Sequence, residues 1–449
     1  METYLVVGTG KSGIAAAELL TKKKEKFYIY DGNTSLDGDG FFAEHKEIEK
    51  TSLFLGEVPE EIKKEVTVAV LSPGVPTDSD FVKDLVSYDI KLSGEIELAY
   101  ALGKGRVVAI TGTNGKTTTT ALTGCLMEEY FKDVRVVGNI GIPYTGRVAD
   151  ATDDSVFVAE ISSFQLETAD TFYPKVSAIL NITPDHLDRH HTMENYIAAK
   201  ESITKNQKAE DVCVLNYEDE VLREFGKTLS CKVLYFSSAR KLPEGTKGYY
   251  YENGAIYKMP ADKVIDVSEL NILGLHNFEN AMAAVAMAEA FGVPRENVVA
   301  GLRKFTAVEH RIEYVCEKRG VRFYNDSKGT NPDAAIKGIQ AMDRPTWLIG
   351  GGYDKNSTYD EWIEAFDGKV KRLILIGQTR EKIAECAKAH GFMNVEFAES
   401  LEEAMDICYK NAASGDAILL SPACASWGMF KNYEQRGEMF KEHARNYEE

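Results

Sequence analysis

The run Gly112-Thr113-Asn114-Gly115-Lys116-Thr117-Thr118 follows the apolar stretch Val107–Ile110. A strand that enters a glycine-rich loop, then a helix opened by lysine and threonine, suits a polyphosphate. Loop N–H groups cradle the phosphates, Lys116 pairs with the β/γ charge, and the Thr117 hydroxyl reaches Mg²⁺. The general P-loop pattern asks for glycine at position 110, where Ile110 stands, so this is a shorter variant.

Two further polar groups close apolar runs in the same region. Ala159-Glu160-Ile161-Ser162-Ser163 follows one, and Asn181-Ile182-Thr183-Pro184-Asp185-His186-Leu187-Asp188 follows another. Glutamate and histidine at strand ends suit a hard divalent cation held jointly with phosphates. Taken alone, His186 reads as a satisfied hydrogen-bonding histidine; with a glutamate and a phosphate loop in the same domain, the ligand reading comes level with it. Lys200, at the end of Tyr196-Ile197-Ala198-Ala199-Lys200 on an expected helix, reads by itself as a solvated lysine.

Near the start, Gly8-Thr9-Gly10-Lys11-Ser12-Gly13 forms GxGxxG after a strand, with Asp31 at the end of the next. Glycines let the backbone approach a diphosphate, and the helix N-terminus stabilises its charge. The pattern fits NAD, FAD or a sugar nucleotide, and also a tight βα turn with no ligand. Ser72-Pro73-Gly74 ends another strand of the same unit. In Gly274-Leu275-His276-Asn277-Phe278-Glu279-Asn280, the polar side chains suit an adenine edge or ribose, with a helix cap by Asn277 as the competing reading. The last third carries His310-Arg311, Asn325-Asp326-Ser327-Lys328-Gly329-Thr330-Asn331, Gly350-Gly351-Gly352-Tyr353-Asp354-Lys355 and Ser421-Pro422-Ala423-Cys424-Ala425-Ser426-Trp427. Lys, Arg, Thr and Ser converging at strand ends make an anion pocket for carboxylate or phosphate. Cys424 has no histidine partner in sequence and reads as structural.

The elements that must position these groups are short apolar runs alternating with amphipathic stretches, each run ending in Gly, Ser, Asn or Asp. That rhythm predicts parallel α/β sheets, whose ligands gather at the carboxyl ends of strands. Ser237–Val267, rich in Tyr, Gly and Lys, reads instead as short antiparallel strands. Boundaries are expected near Ser93–Gly94 and near Phe305–Val308. With 449 residues, 44% hydrophobic and 27% charged, the composition excludes wholesale disorder, collagen and a disulfide mini-scaffold. The formal net charge of −18 argues against a nucleic-acid coat but leaves a local anion pocket open. No stretch approaches the roughly 20 apolar residues of a membrane span, and the N-terminus reads as a strand rather than a signal peptide. Seven scattered cysteines without CxxC point to a reducing compartment, the cytoplasm.

Together these residues resemble the ATP-dependent Mur ligase family. The carriers are Gly112–Thr118, Gly138-Asn139-Ile140-Gly141, Glu160-Ile-Ser-Ser-Phe-Gln-Leu, Asp185-His186-Leu-Asp188, His276-Asn-Phe-Glu-Asn280 and His310-Arg311. The shortened P-loop is typical of that family. Asp326-Ser327-Lys328 and the segments 421–427 and 430–437 are similar to its D-glutamate-adding branch. Sister ligases usually carry an Asp-Tyr-Ala-His type sequence where this chain has Asp326-Ser327-Lys328.

The resemblance implies an α/β chain of three domains. These are a Rossmann-like UDP-substrate domain at 1–94, a P-loop-type ATP-binding domain at 95–307 and a Rossmann-like amino-acid domain at 308–449. It implies amide formation between UDP-N-acetylmuramoyl-L-alanine and D-glutamate by a cytoplasmic monomer, with no nucleic acid and no membrane. Lys11, Ser12, Asp31, Ser72 and Gly74 would contact uridine and diphosphate, and Asn139 and His186 the muramoyl-alanine end. Besides the loop Gly112, Thr113, Asn114, Gly115, Lys116, Thr117 and Thr118, ATP would meet Asn280, Arg311, Asp326 and Lys328. Thr117 and Glu160 would hold one Mg²⁺; Glu160, His186 and an N-carbamylated Lys200 would hold a second. Thr330, Lys355, Ser426 and the backbone at Tyr433 would take D-glutamate.

Overall fold

The computed structural model describes residues 2–48, 51–139 and 141–448. Three sheets form in chain order. The first contains β1 (Thr3–Val7), β2 (Lys26–Asp31), β3 (Leu53–Leu55), β4 (Val68–Leu71) and β5 (Lys91–Gly94). Its order is β3-β2-β1-β4-β5, parallel throughout. The chain switches sides at β1, whose carboxyl end carries Gly8-Thr9-Gly10. In open parallel sheets such a switch point opens the crevice that takes ligands.

The second sheet contains β6 (Arg106–Thr111), β7 (Val134–Gly138), β8 (Val156–Glu160), β9 (Val176–Ile179), β10 (Val212–Asn216), β11 (Lys232–Ser237), β12 (Gly248–Glu252), β13 (Ala255–Lys258) and β14 (Asp262–Asp266). Its order is β14-β13-β12-β11-β10-β9-β6-β8-β7. Here the switch falls at β6, flanked by β8 and β9 and buried on both faces: Val107, Val108, Ala109 and Ile110 are essentially inaccessible. That double burial explains its unbroken apolar run. The Tyr-rich segment forms the expected hairpin: β12 and β13 pair antiparallel. The turn between them, Asn253-Gly254, has positive φ at both residues, the geometry a two-residue hairpin requires.

The third sheet contains β15 (Glu313–Lys318), β16 (Val321–Asn325), β17 (Thr346–Gly351), β18 (Val370–Ile376), β19 (Val395–Phe397) and β20 (Ala417–Leu420), in the order β15-β16-β20-β17-β18-β19. Only the edge pair β15–β16 is antiparallel among the described ladders of this sheet. The ends of β16, β20 and β17 lie side by side, which gathers the three polar clusters of the last third.

The chain divides into two compact units, Met1–Ile265 with Asn280–Leu302 and Asp266–Glu279 with Arg303–Glu449. The first holds the five- and nine-stranded sheets, the second the six-stranded sheet. The position expected for the first boundary falls inside the first unit, between β5 and the helix Glu95–Leu102. Among the described residues, no helix is long and apolar enough to cross a membrane.

Glu97 on that helix shows how polar burial sets the frame. Its carboxylate accepts from the backbone N–H groups of Asp170, Thr171 and Phe172 at 2.8–2.9 Å and from the Thr171 hydroxyl at 2.5 Å. The carboxylate thereby anchors the loop that leads into β9. Glu97→Ala is expected to destabilise the protein by about 3–5 kcal/mol, because three backbone donors lose a charged acceptor. Urea unfolding of the two proteins measures this, and a loss below about 1 kcal/mol would show that the loop finds other partners.

Candidate active site

The parallel register builds the site. Ile110 of β6 pairs with Glu160 of β8, and Thr111 with Ile179 of β9. The phosphate loop, the Glu160 carboxylate and the segment 181–188 therefore leave the sheet from adjacent strand ends. Gly112 and Gly115 have positive φ, and Gly115 leads into the helix Lys116–Glu128. Asn181 stitches the loop to the neighbouring strand end. Its carbonyl accepts from Thr113 N–H, and its carboxamide accepts from Asn114 N–H and donates to Asn114 O at 2.8 and 3.1 Å. Asn280 sits against the same loop, taking the Thr119 hydroxyl at 3.1 Å, close enough that a Cβ at Gly115 would strike it.

Two lysines converge on one carbonyl. Lys116 Nζ donates to Gly112 O and Thr113 O at 2.9 Å each, and Lys200 Nζ donates to Gly112 O at 2.8 Å. Lys200 lies on the helix Met193–Glu201 and is 2% exposed, which overturns the reading of it as a solvated lysine. Its ring neighbour Tyr196 and the loop wall it off from water. Burial first, then the Lys116 charge, pulls its amine down to about 7, with Asp185 opposing. The amine is therefore neutral in the native protein over a range where the unfolded chain keeps it charged. Between about pH 7 and the ordinary lysine value of 10.5 the unfolded state binds more protons, so stability rises with pH through that window. The cost of burying the cation is complete below it. In carbon-dioxide-free buffer, Lys200→Met is expected to be more stable than the parent at pH 6 by on the order of 3 kcal/mol. Thermal melts across the window should show that advantage shrinking as pH rises, and a pH-independent difference would contradict the assignment.

Glu160 is 2% exposed. Its Oε1 accepts from Asn139 Nδ2 at 2.8 Å, and Asn139 N–H donates to Glu160 O. Its Oε2 is buried with no hydrogen-bond partner among the described residues. A buried carboxylate oxygen left bare is costly unless something positive completes it, so the residue fits a cation ligand. Ile140 of the segment 138–141 lies outside the described residues. Thr117 is half-buried beside the loop. His186 has φ +52 and is exposed, its ring tilted 4.9 Å from Phe164. The buried histidine here is His190, whose Nε2 lies 2.9 Å from Ser163 Oγ.

At the first sheet, Thr9 donates to Asp31 Oδ2 through N–H and hydroxyl at 2.8 and 2.6 Å, while Asn33 N–H reaches Oδ1 at 2.8 Å. Burial raises the Asp31 pKa, but these bonds outweigh it and hold the carboxylate below its ordinary range. Gly13 has no alternative: a Cβ there would run into the Gly8 carbonyl. Ser72 Oγ is buried at the same loop with no hydrogen-bond partner among the described residues. Lys11 and Gly74 are exposed and Ser12 half-buried around it. A narrow crevice lined by Ser72, Pro73, Glu95, Phe164, Gln165 and Arg189 among others continues toward the second sheet.

In the second unit Asp326 directly follows β16, buried, and accepts from Ser421 Oγ at 2.7 Å. Burial raises its carboxyl to about 7 against the pull of Ser421 and Arg311. Arg311 Nε is buried without a hydrogen-bond partner among the described residues. Lys328 Nζ stands 5.3 Å from the Tyr433 ring, and Lys355 Nζ 5.0 Å from that of Trp427. Thr330 is half-buried and Ser426 4% exposed. Tyr433 opens the helix Tyr433–Asn446, and its carbonyl accepts from Ser327 Oγ. Cys424 Sγ is held at 3.2 Å from Tyr359 OH and 3.3 Å from Thr379 Oγ1, in keeping with a structural role. Asn277 is not a cap: the helix Leu275–Phe291 begins before it, and its side chain donates to Leu273 O at 2.7 Å.

Arg436 was not singled out by residue pattern. Fully buried, it donates to Ser327 Oγ, Ser327 O and Cys424 O at 3.0, 2.8 and 3.2 Å, tying the ends of β16 and β20 together. Its only sequence signal is its place in the segment 430–437, where it looks like one more surface arginine.

Residues 110–288 match the family model described as Mur ligase middle domain, and residues 310–424 the one described as Mur ligase, glutamate ligase domain. Among similar sequences is the UDP-N-acetylmuramoylalanine--D-glutamate ligase of Lachnoclostridium phytofermentans, 56% identical, with 98% of this chain and 97% of that protein covered. The protein of the same name from Lachnospira eligens is 52% identical, with 99% of each covered. The UDP-N-acetylmuramate-alanine ligase of Thermotoga maritima superposes with a TM-score of 0.59 at 18% identity, covering 99% of each chain. A pseudomurein peptide ligase type C from Methanothermus fervidus does so at 0.57 and 20%, again over 99% of each chain. These two structural likenesses concern the fold. The family models and the near full-length identity go further: the chain belongs to the Mur ligase family.

Proposed function

We propose that this chain is the ATP-dependent ligase that joins D-glutamate to UDP-N-acetylmuramoyl-L-alanine in cytoplasmic peptidoglycan precursor synthesis. Relatives bearing that name at 56% and 52% identity support the substrate pair. The observation that carries the chemistry is the bare, buried Glu160 oxygen, one strand away from a loop holding two lysines on a single carbonyl.

In the proposed reaction the terminal carboxylate of UDP-N-acetylmuramoyl-L-alanine attacks the γ-phosphorus of ATP, giving an acyl phosphate and ADP. The amine of D-glutamate then attacks the acyl carbon, and the tetrahedral intermediate collapses to amide and inorganic phosphate. A carboxylate is a poor electrophile, so the phosphoryl group supplies the leaving group. The amides of Gly112–Thr118 cradle the triphosphate, and Lys116 adds positive charge where the transferring group gathers negative charge. Thr117 and Glu160 would hold one Mg²⁺, and Glu160, His186 and Lys200 a second, the two ions offsetting repulsion between carboxylate and triphosphate. An ammonium cannot ligate a cation. The lowered Lys200 pKa supports its modification: the neutral amine adds to carbon dioxide, an N–C bond forms, and a proton leaves to give the carbamate.

Lys11, Ser12, Asp31, Ser72 and Gly74 take the UDP end, with Asn139 and His186 toward the muramoyl-alanine end. Asn280, Arg311, Asp326 and Lys328 serve ATP, and Thr330, Lys355, Ser426 and the Tyr433 backbone receive the D-glutamate carboxylates. Residues 1–94, 95–307 and 308–449 act as the three substrate domains of a monomer that engages neither nucleic acid nor membrane.

The test is phosphate release from ATP with Mg²⁺ and UDP-N-acetylmuramoyl-L-alanine, adding D-glutamate, L-glutamate, L-alanine or L-lysine in turn. Release that requires D-glutamate, with a new amide by mass, is expected. Release with another amino acid would overturn the acceptor assignment, and none with any would overturn the ligase reading.

A further inference from the structure

In the second unit the helices Asp360–Glu364 and Arg380–Ala389 pack together through Trp362, Ile363, Ile383 and Ala387. Their outer faces carry side chains that the proposed ligase reaction does not use. Asp360 and Glu364 stand one turn apart on the first helix. Cys386 stands one turn before His390, the residue that caps the second. Spacing of four residues puts each pair on one face. His390 Nε2 lies 3.0 Å from Asp360 Oδ1, and its Nδ1 lies 3.6 Å from Glu364 Oε1. Ligand atoms of Asp360, Cys386 and His390 all fall within 4.8 Å of one another.

We propose that Asp360, Cys386 and His390 form a binding site for one divalent transition-metal ion of the zinc type, with Glu364 as the positioning residue on the second imidazole nitrogen. Ligands at zinc distances stand roughly 3.5 Å apart around a tetrahedral ion, so modest side-chain rotation completes the set. A thiolate with an imidazole favours a zinc-like ion over Mg²⁺ or Ca²⁺. Three protein ligands leave the fourth position to water. Nε2 now faces Asp360 Oδ1; when the ion takes the Nε2 lone pair the ring proton moves to Nδ1, which faces Glu364 Oε1, the carboxylate–histidine–metal arrangement. On binding, the Cys386 thiol releases its proton to solvent as the metal–sulfur bond forms, and the ion staples the two helices. Asp360 is exposed and Cys386 half-buried, so the ion enters from solvent. The other grouping of this kind, Glu309, His310 and Glu438, is already served by an internal cation, since Lys441 Nζ pairs with both glutamates.

The test is titration of the reduced full chain with Co²⁺ in saturating Mg²⁺, which fills sites made of oxygen ligands. The expected result is one equivalent of Co²⁺ with a near-ultraviolet thiolate-to-cobalt charge-transfer band, displaced by one equivalent of Zn²⁺. Cys386→Ser should abolish the band, and Glu364→Gln should keep it while weakening binding about 10-fold or more. Asp360→Asn, at an exposed position, should weaken binding similarly and covers the case in which the cysteine variant misfolds. Absence of the band in the parent, or its survival in Cys386→Ser, would overturn the site. Unchanged affinity in Glu364→Gln would overturn the positioning role.

Discussion

Lys116→Ala is expected to lower D-glutamate-dependent phosphate release by about 10²–10³-fold, the range for deleting one preorganised charge-stabilising group. The ammonium is held by Gly112 O and Thr113 O at the start of the helix Lys116–Glu128. In the proposed reaction that position would put its charge beside the transferring phosphoryl group. On this account the loss falls mainly on kcat, because the loop amides still bind nucleotide. The substitution carries a second signature. Lys116 is one of the charges that depress Lys200, so its removal should raise the Lys200 pKa, which lysine-selective labelling across pH reads out. A rate within a few-fold of the parent, in folded protein, would remove Lys116 from the chemistry.

Glu160→Gln should cost about 10²–10³-fold in rate and raise the Mg²⁺ concentration needed for half-maximal activity about 10-fold or more. Glutamine has the shape of glutamate and retains an oxygen for Asn139 Nδ2, so the 2.8 Å bond and the local fold persist. What disappears is the negative charge on the oxygen that has no partner among the described residues. The Mg²⁺ dependence separates this from a packing defect, since extra Mg²⁺ does not repair misfolding. Parent-like activity at ordinary Mg²⁺ would exclude Glu160 as a ligand.

The strand ends and their polar clusters are legible in the chain because both depend on short-range pattern. An apolar run such as Val107–Ile110 followed by Gly112–Thr118 announces a buried strand and a phosphate loop from neighbouring residues alone. The antiparallel strands within Ser237–Val267 are readable for the same reason, though the Asn253-Gly254 turn that joins two of them emerges only in the structure. Asn277 shows where that reasoning stops. Its type favours a cap, yet helix nucleation earlier at Leu275 and the nearby Leu273 carbonyl decide otherwise.

Residue types and spacing along the chain thus establish the α/β class, the P-loop variant and the candidate ligands. Tertiary packing decides the rest. Lys200 lies 88 residues from Gly112, and only the packing of its side chain against that loop and the Tyr196 ring removes it from water and lowers its pKa. Glu97 and Arg436 look like surface charges until burial turns them into anchors for a loop and for two strand ends. The bare oxygen of Glu160 depends on the register of β8 beside β6. Desolvation and strand register depend on residues far apart in sequence, so no local pattern encodes them.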